Sequence, residues 1–393
     1  MIEQTEKSSG PKPFLEPRAR HHAMDIPGWL RVAREYHEGG TFGIVKELVK
    51  VARGPGKLKP YEYFFMCLYE GKRLTPKQRL EFMGDRARVV LHKEMIETAW
   101  LAATYDKLLF LSAMKGQELP VPNVLGVFHA SRRYARAEQL SDEEALCAWL
   151  RSTAIYPFFS KPVESTGSAG TASIDGYDHA ADALFSADGR EVPVKQFARE
   201  VTRYHERGYI FQERIATHPE LEPVCGPGVS ACRMLVCMED GKPHLHRATW
   251  KIPAGANMAD NFWRDGNMMG AIDPDSGEVT RVVRGMAVDT EILEEHPDTR
   301  QPLVGRVIPE WEAMKETCLA AASTFPALWL QGWDVAVSDR GPMIFEVEGD
   351  GGGAQVTQHA QGRGLLEPDF VAFLERWKAA AAERQARLSG GKR

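Results

Sequence analysis

No apolar run in the sequence approaches the ~18 residues of a membrane-crossing helix. Its first residues, MIEQTEKSSGPKPF, are polar and lack the hydrophobic segment of a secretion signal, so a cytoplasmic location is expected. There is no basic excess: Lys and Arg number 49 against 54 Asp and Glu, a formal charge of −5, which excludes a general nucleic-acid footprint. The six cysteines (Cys67, Cys147, Cys225, Cys232, Cys237 and Cys318) show no C-x-x-C spacing. Cys147 and Cys318 sit in helical apolar patterns, which points to buried reduced thiols. Histidines form no H-x-x-x-H; the H-L-H of His244 and His246 is either a zinc-binding pair on one strand face or a solvated face. G-x-x-x-x-G-K-[ST] and G-x-G-x-x-G are both missing, which removes two familiar phosphate-binding signatures.

What is present is a chain of 393 residues, 43% hydrophobic, long enough to bury a core in two or three lobes. In FFSKPVESTGSAGTASIDGYD, an apolar run reaches Lys161-Pro162 and crosses a loop of small residues before a β-like TASI. Lys161 is a point positive charge, and Gly167 and Gly170, among Ser165 and Ser168, let backbone N–H groups approach an anion. The reading is a phosphate held under a β-hairpin lid; a flexible surface turn is the alternative.

Downstream, WDVAV and MIFEVE read as antiparallel strands joined by the turn SDRG. Asp334, Glu346 and Glu348 are expected to converge on one side of this hairpin, where they repel unless a cation lies between them. Oxygen ligands of that kind suit Mg²⁺ or Mn²⁺ carrying ATP phosphates. A solvated E-x-E strand face is the alternative, against which the flanking apolar residues and the glycine run at 349–353 argue.

Together these segments resemble the ATP-grasp superfamily, and the chain between about Leu58 and Phe373 is similar to its sugar-transfer-associated, alpha-L-glutamate ligase-like branch. The motifs that carry the closer likeness are THPELEP, VSACRMLV, RATWKIPAG, MADNFWRDGNMMGAIDPDSGEV, EEHPDTRQPLVGRVIPEW and GWDVAV. The resemblance implies an α+β ATP-grasp fold, two lobes gripping ATP, with a helical N-terminal region. It implies that Lys107, in YDKLLF, and Lys161 contact ATP phosphates, and that Gln212, Glu213 and Ile215, in YIFQERI, bind the base or ribose. Asp334, Glu346 and Glu348 would bind magnesium, although Glu348 stands where the family usually has Asn. Gly332 stands where several ligases carry an arginine for the acyl phosphate. Arg233, then Lys251, is therefore the candidate for steadying the transferring phosphoryl group. Asp260, Asn261 and Arg264 form a polar loop suited to acceptor recognition. The implied activity is ligation of a carboxylate to an amine through an acyl phosphate. A kinase of the same fold acting on a sugar or polyol hydroxyl, or an inactive nucleotide-binding protein, are the rival readings.

The expected organisation is a disordered segment at 1–24, a helical region at 25–105, a first lobe at 106–208, a second at 209–380 and a basic tail at 381–393. Thr75-Pro76 reads as a helix start, and Ser141 with Glu144 as a capping box. IPEWEAMKETCLAAASTF and EPDFVAFLERWKAAAAERQARL read as helices.

Overall fold

In the computed structural model, the residues described are 13–15, 24–96, 98–165, 167–255 and 260–390. The apolar periodicity of the N-terminal third becomes α1 (Ile26–Tyr36), α2 (Gly40–Arg53), α3 (Pro60–Phe65), α4 (Pro76–Leu80), α5 (Asp85–Met95), α6 (Ala102–Tyr105) and α7 (Lys107–Gly116). Thr75 caps α4, its Oγ1 accepting from the Gln78 N–H while Gln78 returns to Thr75. α4 ends at Leu80, and α5 begins just after Gly84. A side chain at that position would meet Glu62 and the backbone of Leu58 and Gly56, so the chain must turn closely against them.

The described residues divide into two compact units. The first comprises residues up to Ala19 together with Asn123–Arg214. Its strands are β1 (Val124–Phe128), β2 (Glu138–Leu140), β3 (Phe158–Pro162), β4 (Ala172–Asp178), β5 (Ala183–Ser186), β6 (Glu191–Pro193) and β7 (Tyr209–Glu213). They form one sheet in the order β2-β1-β7-β3-β4-β5-β6, with only β1–β2 parallel among the described pairings. Helices α8 (Glu143–Ser152) and α9 (Val194–Thr202) supply Trp149, Leu150 and Phe197 to a core with Phe158 and Phe211. Asp142, not Ser141, caps α8: its Oδ1 accepts the Ala145 N–H at 2.8 Å, and Ser141 bonds to its other oxygen.

Of the expected disordered segment, residues 13–15 are described and ordered. Phe14 and Leu15 are buried, and their N–H groups donate to Glu200. The rest of that segment, apart from Met24, lies outside the described residues.

The second unit comprises Arg20–Pro122 and Ile215–Arg393, so Lys107, grouped by sequence with the first lobe, belongs here with the N-terminal helices. Its strands are β8 (Ala231–Glu239), β9 (Lys242–Ile252), β10 (Met268–Ile272), β11 (Val279–Arg284), β12 (Glu291–Leu293), β13 (Leu330–Ser338) and β14 (Gly341–Glu348), an antiparallel sheet in the order β12-β11-β10-β9-β8-β13-β14. α10 (Glu222–Cys225), α11 (Trp311–Ala322), α12 (Ala354–Gln361) and α13 (Pro368–Gly390) complete it. The helix α13 continues through most of the expected basic tail, whose last three residues lie outside the described ones.

Candidate functional site

In the first unit, register decides which side chains share a face. Phe159 pairs with Gln212 and Lys161 with Ile210, so Lys161 and Gln212 project from the same side of β3–β7. The opposite side carries Phe158, Phe211 and Tyr209 into the core. Lys161 is nearly buried, its Nζ 6.0 Å from the Phe159 ring centre. Gln212 is buried, and its Nε2 has no hydrogen-bond partner among the described residues. A buried amide with an unspent donor beside a buried lysine fits a heterocycle and an anion in kind. Glu213 points the other way, and its Oε1 accepts from the N and Nδ2 of Asn123 at 2.9 and 3.0 Å.

The loop between β3 and β4 contains three left-handed residues, Gly167, Ser168 and Gly170. Gly170 is fixed: Tyr209 Oη donates to its carbonyl at 2.8 Å, and an added Cβ would fall 2.2 Å from Tyr204 Oη. Ser165 is half-buried at the start of the loop.

In the second unit a polar row crosses the sheet. Thr249 pairs with Arg233, Arg233 with Asp334, and Asp334 with Glu346, so four side chains from β9, β8, β13 and β14 stand abreast. Arg233 Nε lies 2.6 Å from Asp334 Oδ1, and its Nη2 lies 3.2 Å from Asp334 Oδ2 and 3.0 Å from Glu348 Oε1. Lys251 Nζ is 2.5 Å from Asp334 Oδ2. Burial works to raise the Asp334 pKa, yet Arg233 and Lys251 overcome it and hold the carboxyl well below its usual range. Burial raises that of Asp260, whose Oδ2 accepts the Ala231 N–H at 2.7 Å.

Sequence reasoning expected a metal ion to relieve the three carboxylates. In the structure, the cations between Asp334 and its neighbours are Arg233 and Lys251. Among the described residues no group of three or more His, Cys, Asp or Glu is placed to hold a metal ion. Glu346 and Glu348 keep partly exposed carboxylates, and their oxygens fit a hard divalent cation in kind. Asp334 already accepts from both Arg233 and Lys251, so a cation would share its oxygens with them. Lys107 heads α7 behind its cap Asp106, buried, with Nζ 4.0 Å from Glu346 Oε2.

Gly332 explains its own departure from the family pattern. A Cβ there would lie 2.4 Å from the Gly352 carbonyl oxygen, so the glycine run folds directly onto β13. Glu348 pairs with Gly332 in register, and Arg233 reaches it from β8. Arg233 Nη1 lies 2.9 Å from Glu348 Oε2, but no acceptor among the described residues is aligned for a hydrogen bond with it. Thr249 Oγ1 is likewise buried and unpartnered there. Sequence reasoning missed Thr249, for which only the A-T-W-K strand context was a signal.

Residues of the remaining motifs hydrogen-bond to neighbouring turns. His296 Nε2 bonds to Pro253 O at 2.9 Å, Asp298 accepts the Gly255 N–H, and Asn267 accepts the Ala254 N–H. These hold the turn after Lys251. Asn261 shapes the next turn through Trp263 N and Asn267 Nδ2, with Arg264 N donating to its carbonyl. Residues 256–259, which include the first two of the MADNFWRDGN motif, lie outside the described ones. Ile215 is buried in the second unit, and all six cysteines are buried and unpaired. His246 stacks on Phe370 with ring centres 4.8 Å apart.

The model of the sugar-transfer associated ATP-grasp family matches residues 90–370. The chain belongs to that family. It has the ATP-grasp fold with a helical N-terminal region, most of which precedes the matched residues. A comparison with curated proteins gives no match. Solved ATP-grasp structures resemble it distantly. An L-amino acid ligase from Bacillus licheniformis is 14% identical, with 66% of this chain and 44% of that one covered and a TM-score of 0.37. An N5-carboxyaminoimidazole synthase from Aspergillus clavatus, in complex with ADP and 5-aminoimidazole ribonucleotide, is 9% identical over 73% and 58%, at 0.38. The D-alanine–D-alanine ligase from Coxiella burnetii is 13% identical over 76% and 64%, at 0.41. The chain thus spans less than two thirds of each of these proteins. No helix among the described residues is long and apolar enough to cross a membrane.

Proposed function

We propose that this ATP-grasp protein is a cytoplasmic, ATP-dependent ligase joining a small-molecule carboxylate to an amine, in the modification of a surface polysaccharide or sugar precursor. A carboxylate oxygen forms a bond to the γ-phosphorus of ATP as the β–γ bridge breaks and ADP leaves. The amine nitrogen then attacks the acyl carbon, phosphate departs, and the amine loses a proton. Lys107 and Lys161 each neutralise phosphate charge, and Gln212 receives the base or ribose. Bound Mg²⁺ or Mn²⁺ would offset phosphate charge, held by Glu346 and Glu348, with Asp334 as third ligand. Asp260, Asn261 and Arg264 meet the acceptor.

The observation that carries this reading is Arg233, a buried guanidinium fixed by two carboxylates whose Nη1, though ion-paired with Glu348, makes no aligned hydrogen bond among the described residues. A preorganised donor of that kind stabilises a phosphoryl group in flight without rearranging. Lys251 is its neighbour on the same carboxylate. Supplying MgATP with pooled amino acids and amino sugars should release ADP and phosphate in equal amounts, and hydroxylamine should trap a hydroxamate. ADP without phosphate would overturn the ligase reading.

That outcome would favour the second reading, phosphoryl transfer to a sugar or polyol hydroxyl. Its support is Gly332, whose packing on Gly352 leaves no room for the arginine that attends an acyl phosphate in several ligases.

A further inference from the structure

α2 shows two unlike faces. Ile44 and Val51 are buried and Leu48 half-buried in the core formed with α1 and α3, and Glu47 is held by Tyr63 Oη at 2.8 Å and Arg79 Nη1 at 2.6 Å. At ~100° per residue, the opposite arc, roughly 140° wide, holds Phe42, Val45, Lys46, Val49, Lys50 and Arg53. Phe42 is 83% exposed, and Val45 and Val49 are each 46% exposed. No acidic residue falls on this arc, and none of its three cations has an ion-pair partner among the described residues. In a chain of net charge −5, this is a local reversal of sign. Position along the chain adds weight, because α2 precedes the residues matched by the family model. The face thus lies outside the residues that the family model matches.

An exposed apolar stripe flanked only by cations complements a surface that is anionic outside and apolar just beneath, which is the composition of a bilayer containing acidic lipids. We propose that the outer face of α2 docks this protein on an anionic membrane surface, Phe42 and the two valines entering the headgroup boundary and the cations meeting lipid phosphates. The helix would lie in the interface and not span it. A protein partner would be expected to present carboxylates in fixed geometry, whereas three unpaired, flexible side chains suit a diffuse charge better.

The test is sedimentation of the full-length protein with phosphatidylcholine vesicles, with and without phosphatidylglycerol, at low and high salt. Binding should require phosphatidylglycerol and fall as salt rises. Each Lys46→Gln, Lys50→Gln or Arg53→Gln change should weaken it about fivefold, and Phe42→Ser should weaken it further while leaving the urea midpoint unchanged, since these side chains are exposed. Equal binding to both vesicle types, or no binding to either, overturns the proposal. So does a dimer in light scattering that Phe42→Ser dissociates, because a second copy would then cover the face. None of these readouts depends on the ligase reading.

Discussion

Arg233 and Asp334 stand opposite one another on β8 and β13, with Nε 2.6 Å from Oδ1, both buried in the second unit. Two charges removed from water are tolerable here because each compensates the other and Lys251 and Glu348 complete the set. Removing one partner strands the rest. Arg233→Ala should therefore lower stability by about 3–5 kcal/mol in urea unfolding. Arg233→Lys keeps the charge but lacks the planar fork that holds both carboxylates, so it should restore part of the stability while turnover stays low. Full recovery of turnover by lysine would mean that only charge is needed.

Gly332 and Gly352 make the next prediction. A methyl group at 332 would sit 2.4 Å from a backbone oxygen, and at 352 it would sit 2.1 Å from the Glu348 Cβ. Neither obstacle is the far end of a flexible side chain. Gly332→Ala should cost about 1–3 kcal/mol through forced backbone shifts. An unchanged urea midpoint would show that the glycine run yields freely.

Much of this was legible in the chain because it was local. The β13–β14 hairpin, the β3–β4 loop and the N-cap at Thr75 follow from alternation, turn chemistry and capping over a few residues. Cross-strand partners were not legible, because register among β8, β9 and β13 is set by packing and not by spacing. That is why the relief of the carboxylates was assigned to a metal, when the nearest cations are Arg233 and Lys251. Adjacent residues Gln212 and Glu213 were given one role, although strand geometry sends them to opposite faces. The one-residue shift from Ser141 to Asp142 at α8 reflects two competent caps side by side.

The glycine run is also held from far away in sequence. Arg88, on α5, donates to the Asp350 carbonyl at 2.5 Å and to its Oδ2 at 3.0 Å, and to Asp85 at 2.7 Å. Glu62 similarly accepts from Gln355 of α12. Arg88→Ala should loosen residues 349–353, seen as faster amide hydrogen exchange there, at a global cost of about 1–2 kcal/mol for a partly exposed pair. If exchange in that run is unaltered, other contacts fix it.

Two histidines give stability a definite pH dependence. His359 is buried between Phe65 and Phe262, its Nε2 against the Gly285 carbonyl, with Arg281 and Arg73 nearby. Burial pushes its pKa down to about 3. Burial, with His244 and Arg363, pushes His246 down to about 4. In the unfolded chain both would take up a proton near pH 6.5. Between those values the unfolded state binds more protons, so native stability is fully present above about 6.5 and falls as pH falls toward 4 and 3. At pH 5 the loss is on the order of 2 kcal/mol for each histidine. Urea midpoints at pH 7 and pH 5 should therefore differ strongly in the native sequence. His359→Gln, whose amide can still donate to Gly285, should remove about half of that difference, and adding His246→Gln should remove most of the remainder. A pH dependence unchanged in the double variant would place the responsible protons elsewhere.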